Sequence, residues 1–563
     1  MAEQEKMPPG KAIGDCCKFH WRGKVSILIP LITLPLFTHG LKEKMPEFLC
    51  LYLVANMALY WITEAIPLYL TSLLPIVFLP LFGILGSNHV CQLYFSDTLV
   101  MFLGGLIIAL SIEYCNLHQR IALGTILIVG CSPRRLHFGL TVVTCFISLW
   151  ISNSAATAMM CPIVKAVLTE MEAQKIFKVF KTQEEEPVEE GEKPHPSTIS
   201  MSFYFGVAYA ATVGGCGTLI GTGTNLVFKG LYETRFPDSK EVVDFPIYMG
   251  YAIPIVVIVN VALVWFFMQI THMGLFRPKS KIGQEVKAGS ENKDVVKAVV
   301  QERYKNLGRM TCHEIQVTIL FILMIVLLFT RKPGFVKGWG DFLNAKAIGS
   351  SGGVMCPVVL LFMLPTQYTF FKYCCGQPPF PGRTMDALLS WVFVHRNTPF
   401  GLCFLLGGGF ALAEGSVVSG MAKMLGDGMK FAETWPPYLV VGLTIVMGIF
   451  CTAFSSNVAI CNILIPVFCE MALVVKIHPL LLTMPSMLAI SLAYHLPVST
   501  PANAIICGYA GIKTKYLAIA GIIPTIIAIA VLWVNAISWG FLIFPGTKEY
   551  PEWAKDSETT AAP

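Results

Sequence analysis

The sequence predicts an all-α polytopic membrane protein made of two inverted repeats with re-entrant hairpins and broken helices. Three observations carry the prediction. Of 563 residues, 55% are hydrophobic and only 13% are charged, against roughly a quarter charged in soluble domains; the mean hydropathy is +0.64. Apolar stretches near the roughly 20 residues needed to cross a bilayer recur along the chain. Short polar motifs of the first half return in the second at matched offsets.

The 41 basic and 35 acidic residues leave a net +6. This is too small an excess to imply a polyanion-binding surface, so no nucleic-acid partner is expected and the lipid bilayer is the expected surrounding. The 18 cysteines form neither a C-x-x-C pair nor a His/Cys array and read as small buried apolar side chains. Without a G-x-x-x-x-G-K-[ST] loop, an H-E-x-x-H helix or a G-x-S-x-G elbow, no enzyme and no cofactor is expected.

In chain order, residues 1–24 are polar and basic (Lys6, Lys11, Lys18, Arg22, Lys24). They carry no short apolar core with a cleavage site, and the positive-inside rule puts the N-terminus in the cytoplasm. The clearest apolar spans are Val25–Phe37, Phe48–Ile62, Ile66–Leu85, Tyr251–Ile270, Ile315–Thr330 and Tyr516–Phe544. Two polar stretches read as solvated loops. One is 170–197, with the run Glu184, Glu185, Glu186, Glu189 and Glu190; the other is 276–314. The expected division is 25–135 for the outer helices of the first repeat and 136–275 for its hairpin and following helices. A linker occupies 276–314, the corresponding halves of the second repeat are 315–430 and 431–545, and 546–563 is a tail.

Basic residues flank 136–174 on both sides: Arg134 and Arg135 before it, Lys175, Lys178 and Lys181 after it. If both clusters are cytoplasmic, the chain enters and leaves on one side with Ser152 and Asn153 at the turn. Arms of roughly 16 residues at 1.5 Å rise reach about 24 Å, deep into the bilayer. Two ordinary spans joined by a short loop fit the same residues.

Leu103-Gly-Gly105 recurs as Leu406-Gly-Gly408, 303 positions on, and Ser152-Asn153 recurs as Ser456-Asn457, 304 positions on. Each Asn precedes a proline by nine residues, Pro162 and Pro466. Thr222-Gly-Thr-Asn225 matches Thr500-Pro-Ala-Asn503 at an offset of 278; the polar insertion at 170–197 accounts for the 26 missing residues. In membrane proteins such repeats are often inverted, with a binding site near the midplane where broken helices meet.

Irregular backbone is tolerated at membrane depth only where it is buried in protein or lines a cavity. The Ser-Asn pairs bring hydroxyl and amide groups, and the helix starting beside them brings free N–H groups and a positive end. Together these suit a carboxylate without a formal positive charge, while the oxygens of the same turns suit a small cation. The stretch Val213 to Asn225 holds too many glycines for a continuous helix. It is expected to unwind, with close helix packing the competing explanation for Gly214, Gly215 and Gly217. Pro501 likewise interrupts a span. Glu64, Glu113, Lys165, Lys229, Glu414 and His495 fall in or beside apolar runs and are candidates for function or for interfacial placement. His495, near Thr500, raises the hypothesis of proton coupling.

Ala55-Asn-Met-Ala-Leu-Tyr-Trp-Ile-Thr-Glu-Ala-Ile-Pro67, Phe102-Leu-Gly-Gly105, Trp150-Ile-Ser-Asn153, Leu406-Gly-Gly-Gly-Phe-Ala-Leu-Ala-Glu414 and Leu496-Pro-Val-Ser-Thr-Pro501 resemble the divalent anion:sodium symporter family of di- and tricarboxylate carriers. Glu113-Tyr-Cys-Asn-Leu-His118, Cys131-Ser-Pro-Arg-Arg-Leu-His137 and Thr452-Ala-Phe-Ser-Ser-Asn-Val-Ala459 are most similar to its insect INDY-type citrate transporters. The resemblance implies a plasma-membrane homodimer in which a scaffold (25–135, 315–430) holds an elevator-type transport domain (136–275, 431–545). It implies citrate and four-carbon dicarboxylates (succinate, malate, fumarate) as substrates. The substrate-binding residues it implies are Ser152, Asn153, Ser154, Gly223, Thr224, Asn225, Ser456, Asn457, Val458, Thr500, Pro501 and Asn503. Sodium sites would lie near Asn153 and Gly217 and near Asn457 and Thr500.

Three departures weaken those cation sites: Val458 replaces a hydroxyl, Thr224 replaces a proline before Asn225, and Ala502 replaces one before Asn503. Sodium-independent exchange is therefore the preferred expectation. Sodium-coupled symport, or a non-transporting scaffold or channel, are the alternatives.

Overall fold

The computed structural model describes residues 18–130, 132–173, 179–180, 195–291, 293–331, 338–342, 349–369, 373–376, 382, 384–428, 430–497 and 499–554. Among them the secondary structure is helical, with two isolated β-bridges and no strand. Among the described residues eight helical stretches are long and apolar enough to cross a membrane.

Three apolar spans depart from single straight helices. The 66–85 span splits into Leu68–Thr71 and Leu74–Leu81. Pro75, at the start of the second piece, lacks the N–H that would continue the first. The indole Nε1 of Trp61 donates at 3.2 Å to both Leu68 O and Ser72 Oγ, which fixes the break. The Phe245–Thr271 stretch carries a π turn at Ala252–Val257 around Pro254, where the missing donor shifts the ladder by one residue. The last span is three helices, Thr514–Ala520, Ile522–Ile537 and Trp539–Ile543.

The duplication read from sequence is visible in the order of the helices. In the first repeat, the arms Pro133–Ser148 and Asn153–Ala173 both pack on Thr198–Gly215; Gly223–Arg235 follows. In the second, Pro437–Ala453 and Asn457–Val474 pack on Pro479–Ser491, followed by Pro501–Ala510. Each hairpin is thus two helices joined by a short link. Pro162 and Pro466 sit inside the second arms. The halves interlock: Gly223–Arg235 packs on the second hairpin's arm Asn457–Val474, and Pro501–Ala510 on the first hairpin's arm Asn153–Ala173.

The insertion that breaks the register leaves and re-enters beside one point, where Ser197 N donates to Val179 O at 2.8 Å. Its acidic run, Glu184 to Glu190, lies outside the described residues. The 276–314 linker forms Lys281–Glu291 and Lys293–Asn306, which lie against the first hairpin. Its end is clamped by Arg120, paired at 3.2 Å with Glu314 and donating to Gly308 O at 2.9 Å.

Candidate functional site

Both hairpins turn at Ser-Asn, and both turns have the same internal wiring. Asn153 and Asn457 are the first residues of their helices and are 8% and 9% exposed. Asn153 Oδ1 lies 3.1 Å from Ser148 Oγ, whose single proton is shared with Ala211 O at 2.6 Å, and Asn457 Oδ1 accepts from Thr452 Oγ1 at 2.7 Å. Each donor lies five residues before its Asn, so the two are related by the 304-residue offset. These hydroxyls hold the amides by the carbonyl end. Asn457 Nδ2 also reaches Ser491 O at 3.3 Å. Ser456 caps its helix in an extended conformation without a side-chain cap bond, whereas Ser152 Oγ lies 3.3 Å from Ser154 Oγ.

The two broken helices are matched as closely. Thr222 and Thr500 precede their helices at φ/ψ of −148°/153° and −144°/138°, extended values that interrupt the helical ladder. Asn225 Nδ2 donates to Gly215 O at 2.9 Å and Thr218 O at 2.6 Å. Asn503 Nδ2 donates to Ala493 O at 3.2 Å and Leu496 O at 3.3 Å. All four acceptors lie ten or seven residues upstream of their Asn. Each amide therefore bridges the two ends of an unwound loop whose carbonyls have lost their helical partners. Thr218 Oγ1 donates to Leu149 O and ties the first loop to the first hairpin turn.

These parts enclose a cavity of about 400 Å³. Its lining includes Ser152, Asn153, Ser154, Ser456, Asn457, Val458, Thr222, Gly223, Thr500 and Pro501, so the starts of four helices open on one space. Leu68, Tyr69, Phe102, Leu106, Leu402 and Leu405 form an apolar wall. Among the described residues lining it, no side chain is basic. Helix starts and polar turns are then the source of positive potential, each worth a fraction of a charge and strengthened by exclusion from water.

Several sequence-predicted residues fall elsewhere. Thr224, Asn225 and Asn503 are fully buried and do not line the cavity. Thr224 Oγ1 lies 2.6 Å from Ser491 Oγ, and the two asparagines pin the loops. Gly217, placed near a cation site from the resemblance, is packed against Leu149; a Cβ there would come within 2.3 Å of Leu149 Cδ2. Close packing rather than unwinding explains Gly214 and Gly215, which end a continuous helix. A Cβ on Gly214 would meet Cys145 O at 2.4 Å and one on Gly215 would meet Asn153 Oδ1 at 2.0 Å.

Of the six ionisable candidates, Glu64 alone lines the cavity. Lys229 pairs with Glu233, Lys165 lies 5.6 Å from the Tyr509 ring centroid, and Glu414 is 3.7 Å from His89. His495 is engaged at both ring nitrogens, Nδ1 3.2 Å from Ala518 O and Nε2 2.8 Å from Thr525 Oγ1. Ser148 and Thr452 were not among the sequence-predicted residues, although each places a hydroxyl five residues before its Asn.

A helical chain with multiple apolar spans, whose repeats enclose a cavity of two polar turns and an apolar wall, has the build of a membrane transport protein. Comparison narrows the class. Residues 19–545 match the family described as the sodium:sulfate symporter transmembrane region, and the chain belongs to that family. It is 51% identical over 562 residues to "Protein I'm not dead yet" of Drosophila melanogaster, covering 98% of this chain and 94% of that one. It is 35% identical to the human "Na(+)/dicarboxylate cotransporter 3" (96% of each chain). It is 34% identical to the mouse "Na(+)/citrate cotransporter" (95% and 97%).

Proposed function

We propose that this protein carries citrate and the four-carbon dicarboxylates succinate, malate and fumarate across the plasma membrane. It works as a homodimer with its N-terminus in the cytoplasm, by sodium-independent exchange and an elevator motion of the hairpin-bearing domain. The observation that carries the reading is the cavity itself, where two Ser-Asn turns and four helix starts converge without a basic side chain among the described lining residues. Such a site suits anions with carboxylates at two ends, one against each turn. An exchanger must bind without favouring either end state strongly, since a carrier trapped in one state does not turn over. A binding surface of hydroxyls, amides and partial helix charges meets that requirement better than a fixed ion pair would.

Sodium-coupled symport is the second reading, in which sodium is a co-transported substrate. Two relatives are named sodium cotransporters, and Asn225 Oδ1 and Asn503 Oδ1 are buried acceptors with no hydrogen-bond partner among the described residues. Against it stands Val458, which lines the cavity at the second turn and brings methyl groups instead of an oxygen ligand. The deciding experiment is uptake of labelled citrate and succinate into proteoliposomes with sodium replaced by choline. Sustained uptake, accelerated by unlabelled citrate loaded inside, is expected of the exchanger. Uptake that vanishes without sodium refutes exchange in favour of symport, and no uptake under either condition refutes transport of these anions.

A further inference from the structure

The cavity has one charged side chain among its described lining residues, and it carries the sign of the cargo. Glu64 closes the Pro46–Thr63 helix and faces the same space as the two Ser-Asn turns. Its backbone is left-handed, φ 52° and ψ 28°, with its N–H donating to Tyr60 O at 2.9 Å. This is the helix-ending position that glycine fills without steric cost. Lys44 closes the preceding helix in the same left-handed conformation, so closure of the helix does not call for an acidic side chain here; Glu64 is the one of the two that lines the cavity. Nor does an ion pair explain the carboxylate: among the described residues Glu64 has none, whereas Lys229, Arg235 and Arg331 are each paired with a carboxylate. Tyr69 is the only other titratable side chain among the described lining residues.

We propose that Glu64 is a specificity-determining residue that sets the net charge of the anion the cavity accepts. Its carboxylate disfavours trianionic tricarboxylates and leaves dianions as the favoured substrate class. The proposal rests on the transport reading above and deepens it. The two turns supply attraction that grows with each carboxylate engaged. A fixed negative charge lining the same cavity opposes it in proportion to total charge, so the third carboxylate of citrate gains repulsion without a turn of its own. A like charge across a few ångströms of partly wet cavity is worth roughly tenfold in affinity per added substrate charge.

The test uses the full chain in proteoliposomes at a mildly alkaline pH, where citrate is a trianion and succinate a dianion. KM is measured for both in the wild type, Glu64→Gln, Glu64→Asp and Glu64→Gly. Glu64→Gln is expected to lower both values, and to lower citrate's relative to succinate's by roughly tenfold. Glu64→Asp, which keeps the charge, should retain the wild-type ratio. Glu64→Gly removes the carboxylate and suits the left-handed backbone, so it reads the same change if the glutamine variant does not fold. An unchanged citrate-to-succinate ratio in the charge-free variants overturns the proposal while leaving transport intact. Failure of the wild type to take up either anion refutes the transport reading instead.

Discussion

Replacing Asn225 or Asn503 by alanine separates a residue that holds the site from one that touches the substrate. Each amide donates two hydrogen bonds to carbonyls of an unwound loop: 2.9 and 2.6 Å for Asn225, 3.2 and 3.3 Å for Asn503. Both side chains are fully buried, so truncation strands Gly215 O or Ala493 O, whereas Thr218 O keeps Gly221 N and Leu496 O keeps Ser499 N and Oγ as donors. At about 1–1.5 kcal/mol per bond, plus a penalty for the stranded acceptor, Asn225→Ala costs roughly 3–4 kcal/mol. Asn503→Ala, with longer bonds, costs roughly 2–3 kcal/mol. For a chain of this size that is a fall of a few degrees in the unfolding temperature, larger for Asn225→Ala. The assay is thermal unfolding of the purified protein, with and without saturating succinate. Lower stability is expected in both variants, with the succinate-induced increase retained in direction. Unchanged intrinsic stability with the succinate effect abolished would mean that these amides touch the ligand, and would refute their assignment as pins.

Asn153→Ala and Asn457→Ala should each bring uptake of citrate and succinate to background, since each removes a cavity-facing amide worth about 1.5–3 kcal/mol against a charged ligand; near-normal uptake in both would remove the turns from the site. Gly215→Ala should match Asn153→Ala, because the new Cβ falls 2.0 Å from Asn153 Oδ1. Combining the two should cost little more uptake than Asn153→Ala alone, and additive losses would sever the link. In the loop before the Pro479–Ser491 helix, His478 Nδ1 accepts from Leu480 N at 3.1 Å, and burial pushes the imidazole down from 6.5 to about 4. The folded protein favours the neutral ring, so its contribution is fully present above about 6.5 and is lost as pH falls towards 4, on the order of 2–3 kcal/mol in total. His478→Asn, which keeps a non-titrating acceptor, should flatten the acid side of the stability profile, measured as unfolding temperature against pH.

Legibility in the sequence differed between the turns and the loops. The Ser-Asn turns stood out because a polar pair in an apolar run is costly, and because duplication repeated the pair at one offset. Asn225 and Asn503 repeat just as faithfully, yet they face away from the cavity. The reason is geometric. Both are third residues after the extended threonine, and helical side chains lean back towards the N-terminus. Their amides therefore fall over the preceding loop instead of the open end of the helix. Asn153 and Asn457 are first residues, at the rim, where the same lean leaves part of the amide on the cavity. Spacing reveals that a residue recurs, but one or two positions along a first turn decide which way it points. The glycines were ambiguous for a similar reason: Gly214 and Gly215 are read as breakers by propensity, and only the approach of Cys145 and Asn153 shows why no larger residue fits.

The duplication also bears on how the proposed anion site is built with so little charge. One helix start contributes about half a charge, screened at a surface and too weak alone to hold a dianion. Here each repeat supplies two starts, a hairpin arm and a broken helix, and each broken helix packs on the other repeat's hairpin. The crossing brings all four starts to one cavity. A single repeat would place its hairpin turn and its broken helix without the second set facing them. The interlocking also restrains any rearrangement of the site: displacing the second hairpin alone would break the contacts of Cys461 with Thr224 O and of Asn457 Nδ2 with Ser491 O. Motion of the two hairpins as one body preserves those contacts, which is the physical requirement that an elevator step, and not independent flexing of the turns, would satisfy.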